Sequence, residues 1–403
     1  MKNDLTNLLE KTKIFWAGPT STWGLKKFLK TMQDPYIGSL FELSGVIGRK
    51  TVEEDAKSIK EKSEKDVSGL NFSKSILNGD IPHYKYETIN GETQIPEVIF
   101  DTPLGSIYIC SNNTRHLDQI SYSARRGIHT LFEKPACVVL DEQGMAYDGQ
   151  IKQLEALVET NPQVVIMDAE HYAYKALSQW FHKEFTKTLG NRKISHMNAT
   201  IIEKDNADCQ RNKNMFAIGE RTGLMTDVGV HALSYITNQN AKVTPQKDNI
   251  FYGFYPGYET ETFVRAKYDI FPERNSPFAN DAIASIAIEK FTQKRKEPEK
   301  TRPFDSDKRI TFTLTDKSQV ELNFNDGTAY TISPSGNRTA ITNTNKYSQN
   351  EYINSLKEFN DSIRTGNAPL TDIRNSLKTM HAIYDTYKVA PPSDKKNRRD
   401  VYE

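Results

Sequence analysis

Up to about residue 168 the chain alternates short apolar runs with polar stretches of helical period, and this alternation restricts its fold more than any other feature. Lys13-Ile14-Phe15-Trp16-Ala17 is an apolar run that stops at Gly18, and Leu25, Phe28, Leu29 and Met32 follow at helical spacing. That is strand, turn, helix. Phe41-Glu42-Leu43-Ser44-Gly45-Val46-Ile47 reads as a second strand closing on Gly48-Arg49-Lys50, and residues 52–65, rich in Lys and Glu, read as a solvated helix. Val98-Ile99-Phe100 and Ser106-Ile107-Tyr108-Ile109-Cys110 are further runs. Leu117, Ile120 and Ala124 make a helical stripe before the strand 129–132, and Gln163-Val164-Val165-Ile166-Met167 completes the set. Strands separated by helices predict a doubly wound parallel sheet, an α/β fold.

Beyond Asp168 the rhythm changes. Residues 193–203, 251–255, 262–270, 309–314, 319–324 and 330–333 are strand candidates with few helices between them, which predicts a second α/β domain with a mainly antiparallel sheet. Residues 352–364 and 373–387 read as closing helices, 294–303 as an exposed loop, and the charged stretch after Pro391-Pro392 as a loose terminus or partner contact. The expected division is 1–168, 169–390 and a tail 391–403, and 403 residues supply two cores that need no disulfides.

Charge and cysteine usage narrow the partners. Fifty-three Lys plus Arg against fifty-two Asp plus Glu leave a formal charge of +1, with no global field to draw nucleic acid or an acidic membrane. The three cysteines, Cys110, Cys137 and Cys209, show no CxxC spacing, so no metal site is expected and a reducing compartment is. The first residues lack the apolar stretch of a signal peptide, and no run reaches membrane-spanning length. The expectation is a soluble, cytoplasmic protein acting on a small molecule.

Gly18 opens the first strand-to-helix turn, where backbone N–H groups and a helix dipole can hold a pyrophosphate. In the register Gly18-Pro19-Thr20-Ser21-Thr22-Trp23 only the first glycine of G-x-G-x-x-G is present, and Gly24 is one residue late. Thr20 puts a Cβ where backbone usually meets phosphate, although the hydroxyls of Thr20, Ser21 and Thr22 can donate to it. Taken alone, the loop fits a plain turn as well as a nucleotide site. Arg49 and Lys50 stand where a dinucleotide fold usually offers an acid to the ribose diol, which favours a 2′-phosphate and hence NADP(H), with NAD(H) still possible. They also fit a solvated strand end. Ser111-Asn112-Asn113-Thr114-Arg115-His116 follows a strand at the carboxyl edge of the sheet, where it can line a nicotinamide pocket or simply turn into a helix.

Glu133-Lys134-Pro135 ends a buried strand with a charged pair before a stiff Pro, and there Lys134 would face the cofactor ring. Asp227-Val228-Gly229-Val230-His231 sets a carboxylate and an imidazole at i and i+4 on one helix face. Lys134, Asp227 and His231 supply the groups needed to move a proton off a hydroxyl while hydride leaves the same carbon. Singly, each also fits a blander role as loop lysine, helix cap or core histidine.

Together these motifs resemble the Gfo/Idh/MocA oxidoreductases, the relatives of glucose-fructose oxidoreductase and inositol dehydrogenase, over roughly residues 13–388. Glu133-Lys134-Pro135 is similar to that family's E-K-P, Asp227 to His231 to its D-x-x-x-H, and residues 111–116 to its T-P-N-x-x-H with Asn112 replacing the proline. The resemblance implies an N-terminal Rossmann domain, a second domain whose open sheet forms a dimer or tetramer interface, and an active site in the cleft between them. It implies that Lys134 contacts nicotinamide and the reacting hydroxyl, that His231 is the general acid/base, and that Asp227 orients the substrate or supports the His. His171 and Tyr172 fall where the family lines its substrate pocket. The implied activity is NAD(P)-dependent interconversion of a hydroxyl and a carbonyl on a sugar, cyclitol or related polyol. Two alternatives stand beside it: the same fold with transient redox for elimination or glycoside cleavage, or with imine reduction, and a non-catalytic sensor or assembly subunit.

Overall fold

The apolar runs of the first part become strands buried on both faces, as parallel sheets require. The computed structural model describes residues 10–63, 67–89, 92–96, 105–203, 216–217, 220–291, 307–341 and 347–399. The predicted strand at Val98-Ile99-Phe100, Cys209, the loop 294–303 and most of 205–222 lie outside them, as do residues 400–403.

Among the described residues six strands form the first sheet: β1 (Thr12–Ala17), β2 (Phe41–Gly48), β3 (His83–Lys85), β4 (Ser106–Ile109), β5 (His129–Phe132) and β6 (Ile166–Asp168). All pairings are parallel and the order is β3-β2-β1-β4-β5-β6. The order reverses between β1 and β4, so the carboxyl ends of these two strands open a crevice in which such sheets take ligands. Local chemistry fixes the elements around it. Asp34 caps helix Pro35–Leu40 by accepting from Tyr36 N and Ile37 N, with Pro35 in the first turn. Thr51 and Glu54 form a reciprocal capping box on helix Val52–Lys62, whose first turn is acidic and whose last turn carries Lys60 and Lys62. That helix therefore starts directly after Arg49-Lys50.

Contacts gather Met1–Ala136, Leu154–His171 and Asn350–Ile373 into one compact unit, and Cys137–Gln153, Tyr172–Gln349 and Arg374–Glu403 into another. Helix Glu351–Thr365, which the sequence reading grouped with the second domain, belongs to the first unit. Its apolar stripe explains this. Phe359 stacks on Phe41 with ring centroids 6.5 Å apart, Thr12 donates to Asn360 at 2.9 Å, and Lys27 pairs with Glu351 at 3.0 Å. The following residues, Thr371 and Asp372, bond to β6 and cover an otherwise open sheet edge.

Among the described residues the second unit holds a nine-stranded sheet built from β7 (Ile194–Ile202), β8 (Ala241–Pro245), β9 (Phe251–Gly253), β10 (Phe263–Pro272), β11 (Phe278–Glu289), β12 (Asp307–Leu314), β13 (Gln319–Asn323), β14 (Thr328–Ile332) and β15 (Arg338–Ile341). The order is β8-β10-β11-β7-β12-β13-β14-β15, with β9 also on β10, and every pairing but β7–β11 is antiparallel. Phe181 stacks on Phe312 at 4.1 Å, packing helix Ala176–Lys183 onto one face. The stretch 391–399, expected to be loose, is held by Arg399 N donating to Tyr252 O at 2.7 Å and by burial of Asn397.

The central strand β11 was not apparent from sequence, where no strand candidate stands between residues 270 and 309. Its inward positions Ala282, Ala284, Ile286 and Ile288 alternate strictly, but Ala is depleted in strands and hides the pattern. Ile286 is 1% exposed. Ile286→Ala should lower the unfolding free energy by about 2–5 kcal/mol in a urea titration. A loss below about 0.5 kcal/mol would contradict a central place for this strand.

Candidate functional site

The crevice of the first sheet contains a cavity of about 410 Å³ bounded by three segments: Gly18 to Ser21 after β1, Ile47 to Lys50 at the end of β2, and Cys110 to Asn112 after β4. Asp55, Lys62 and Tyr86 close its sides. Backbone sterics require Gly18. Its φ is +85°, and a Cβ there would stand 2.4 Å from Cys110 O. Ser21 N donates to Gly18 O, and Ser21 Oγ accepts from Gly24 N at 3.3 Å and from Cys110 Sγ at 3.0 Å. Burial pushes the Cys110 thiol up to about 12, so it stays protonated and donates.

The cavity wall is cationic. Burial and the neighbouring Arg115 lower the pKa of Arg49, while burial and Lys50 lower that of Lys62. Asp55 is turned to His83 at 3.0 Å and packs against Gly48, where a Cβ would collide with it. Among the described residues no ion pair joins Arg49 or Lys50 to a carboxylate.

Of the predicted cofactor residues, Gly18, Thr20, Ser21, Arg49, Lys50, Ser111 and Asn112 line this cavity. Thr22 begins helix Thr22–Lys26, and its side chain is outside the described set. Asn113 starts a short 3-10 turn capped by Asn112. His116 is buried with Nδ1 2.9 Å from Pro135 O and Nε2 3.1 Å from Ser111 O, so its ring ties two turns together. Glu133 points inward. Its Oε1 accepts from the phenols of Tyr108 and Tyr352, both at 2.5 Å. Burial raises its pKa against the pull of the two phenols. Half-buried Lys134 follows immediately, between this anchored carboxyl and the Pro135 carbonyl held by His116.

In the second unit Asp227 lies in a π-helical turn, Met225–Gly229, which runs into helix Val230–Thr237. Here the expectation of an ordinary helix is corrected: residues 225–229 form a wider i→i+5 turn before the α-helix continues from Val230. Asp227 Oδ2 lies 3.1 Å from Lys290 Nζ, which also donates to Glu203 Oε2 at 2.7 Å, and Lys308 Nζ donates to Glu203 Oε1 at 2.8 Å. Buried His231 stacks on Tyr172 at 4.5 Å, and Lys175 lies 4.7 Å from the Tyr172 ring centre. Beneath the π turn, buried Glu261 accepts from Met225 N at 3.3 Å and from Tyr387 Oη at 2.5 Å. Tyr172 belongs with His231 to the second unit, and His171 is the last residue of a segment of the first.

Tyr86, Asp55 and Lys62 at the cavity, and Glu203, Lys290, Lys308 and Glu261 around the π turn, were not anticipated. The charged pattern of helix Val52–Lys62 offered a clue, since Asp55 and Lys62 fall a whole number of turns apart on one face.

No protein-family model matches the chain, and no curated protein does either. Solved structures match along nearly all of it. The 3-ketoreductase KijD10 of Actinomadura kijaniata, in complex with NADP and TDP-benzene, is 13% identical with a TM-score of 0.62, covering 98% of this chain and 100% of that one. The aldose-aldose oxidoreductase of Caulobacter crescentus, complexed with glycerol, is 14% identical with a TM-score of 0.64, covering 96% and 99%. This chain shares their fold. The doubly wound parallel sheet and the mainly antiparallel second sheet expected from sequence are thus found both in the structure and in its likenesses.

Burial disfavours a charged Glu203, but Lys290 and Lys308 outweigh it and hold the carboxyl down at about 2 from its usual 4.5. A carboxyl depressed in the folded state stabilises it fully above about pH 4.5, and the contribution fades as pH falls towards 2. Unfolding of wild type and Glu203→Gln should therefore differ most above about pH 4.5 and converge on acidification. A gap that stays constant across that window would contradict the pairing.

Proposed function

We propose that the chain is an NADP(H)-dependent oxidoreductase that interconverts a hydroxyl and a carbonyl on a sugar, cyclitol or related polyol. One observation carries this reading: a cationic cavity at the crevice of a β3-β2-β1-β4-β5-β6 sheet, framed by Gly18, Arg49 and Ser111. The residues suit the group. Gly18 leaves room that a Cβ would fill, and Arg49 with Lys50 offers cations without a carboxylate partner in contact among the described residues. In this reading Arg49 and Lys50 take the 2′-phosphate, the Thr20 and Ser21 hydroxyls face phosphate oxygens, and the 111–113 turn leads toward the nicotinamide. The bound cofactor supplies or accepts the hydride.

The chain's own groups manage proton and charge. In oxidation His231 takes the hydroxyl proton, and in reduction it returns one to the carbonyl oxygen. Tyr172, stacked flat on His231, fixes the plane of the imidazole. Lys134 steadies the negative charge on the reacting oxygen, with its backbone held by the buried Glu133 and by His116. Asp227, gripped by Lys290, orients the substrate hydroxyls or supports His231. The oxidoreductases with which the chain shares its fold, one named for a keto group and one for aldoses, support this substrate class. The open second sheet supports a homo-oligomer, a dimer or tetramer. Cys110 and Cys137, buried as free thiols, support a reducing, cytoplasmic location.

Purified protein should bind NADPH in a fluorescence titration and turn over part of a panel of ketosugars and polyols. Absence of both would reject the reading. Arg49→Ala should weaken NADPH by roughly 10- to 100-fold, the worth of a charged hydrogen bond, and leave NADH unchanged. His231→Gln should lower kcat by about 10²- to 10⁴-fold with NADPH affinity retained. Full activity of that variant would remove His231 from the mechanism.

A further inference from the structure

The first turn has few donors to offer an anion. Pro19 has no N–H, Gly18 N donates to Ile47 O at 3.0 Å, Ser21 N donates to Gly18 O at 3.0 Å, and Gly24 N is taken by Ser21 Oγ. Helix Thr22–Lys26 has only five residues, so few peptide dipoles align behind the turn. A glycine-rich loop holds a pyrophosphate with backbone N–H groups and a long helix, and this turn has largely spent the first and lacks the second.

A cation stands in the same place. Lys62, in the last turn of helix Val52–Lys62, reaches across to the first turn and donates from Nζ to Thr20 O while lining the cavity. An ammonium has three N–H bonds, and among the described residues Thr20 O accepts one of them. The two others remain for oxygen ligands. Partial burial and Lys50 lower its pKa against the smaller pull of Asp55.

We propose that Lys62 is a pyrophosphate ligand of the dinucleotide, a side-chain substitute for the backbone donors that the glycine-poor turn withholds. The assignment rests on the NADP(H) reading above and divides the cavity's cations by task. Arg49, at the end of β2, serves the 2′-phosphate, and Lys62, pinned at Thr20, serves the phosphates that all nicotinamide dinucleotides carry. The group acts by binding alone.

Calorimetric titration of wild type, Lys62→Met, Lys62→Arg and Arg49→Ala with NADPH, NADH and adenosine 2′-monophosphate tests this division. The exposed position of Lys62 favours folding of its variants, and thermal melting checks it. Lys62→Met should weaken NADPH and NADH by the same factor, roughly tenfold or more for a charged hydrogen bond, and leave adenosine 2′-monophosphate unchanged. Lys62→Arg should recover most of the loss. Arg49→Ala should show the opposite pattern, losing NADPH and adenosine 2′-monophosphate but not NADH. Unaltered NADPH binding by Lys62→Met, or loss of adenosine 2′-monophosphate along with the dinucleotides, would overturn the role given to Lys62. Wild type that binds none of the three would overturn the NADP(H) reading itself, and this inference with it.

Discussion

The close approach of Gly18 to Cys110 is the constraint on which the candidate site depends. The strand order reverses between β1 and β4, and a crevice forms there only if the turns leaving these two strands pack without filling it. Gly18, at φ +85°, lets its backbone lie against Cys110 O at a distance no Cβ allows. Ser21 then bridges to Cys110, and the cavity opens outward toward Arg49 and Lys50. Everything proposed for the cofactor follows from this packing.

Each unit also places a buried glutamate behind its candidate reactive residue. Glu133, between the phenols of Tyr108 and Tyr352, anchors the strand end from which Lys134 emerges. Glu261 receives the Met225 N–H and the Tyr387 hydroxyl, anchoring the π turn that carries Asp227. Burial raises both carboxyl pKa values, a cost that hydrogen-bond donors offset. Such groups hold backbone geometry, and π turns recur at functional sites.

The first sheet was legible because continuous apolar runs such as Ile14 to Ala17, punctuated by Gly18 and Gly48, obey the period of buried parallel strands. The turn residues of the cavity, Gly18, Thr20, Ser21, Arg49, Lys50, Ser111 and Asn112, were legible because they stand at strand ends. Three things were not. Strand β11 hid behind its alanines, the π turn carries no composition of its own, and Lys62 became part of the site only through a helix folding back toward Thr20. Helix Glu351–Thr365 was visible as a helix, but its place against Phe41 depends on a contact spanning most of the chain, which no local pattern encodes. The grip of Lys290 on Asp227 is likewise a tertiary fact.

A crystal structure of the protein soaked with NADPH tests the central claim most directly. The dinucleotide should lie along the crevice, with its 2′-phosphate against Arg49 and Lys50 and its pyrophosphate within hydrogen-bond reach of Lys62 and the Thr20–Ser21 turn. NADPH bound elsewhere on the chain, or a crevice that stays empty at saturating ligand, would contradict the account.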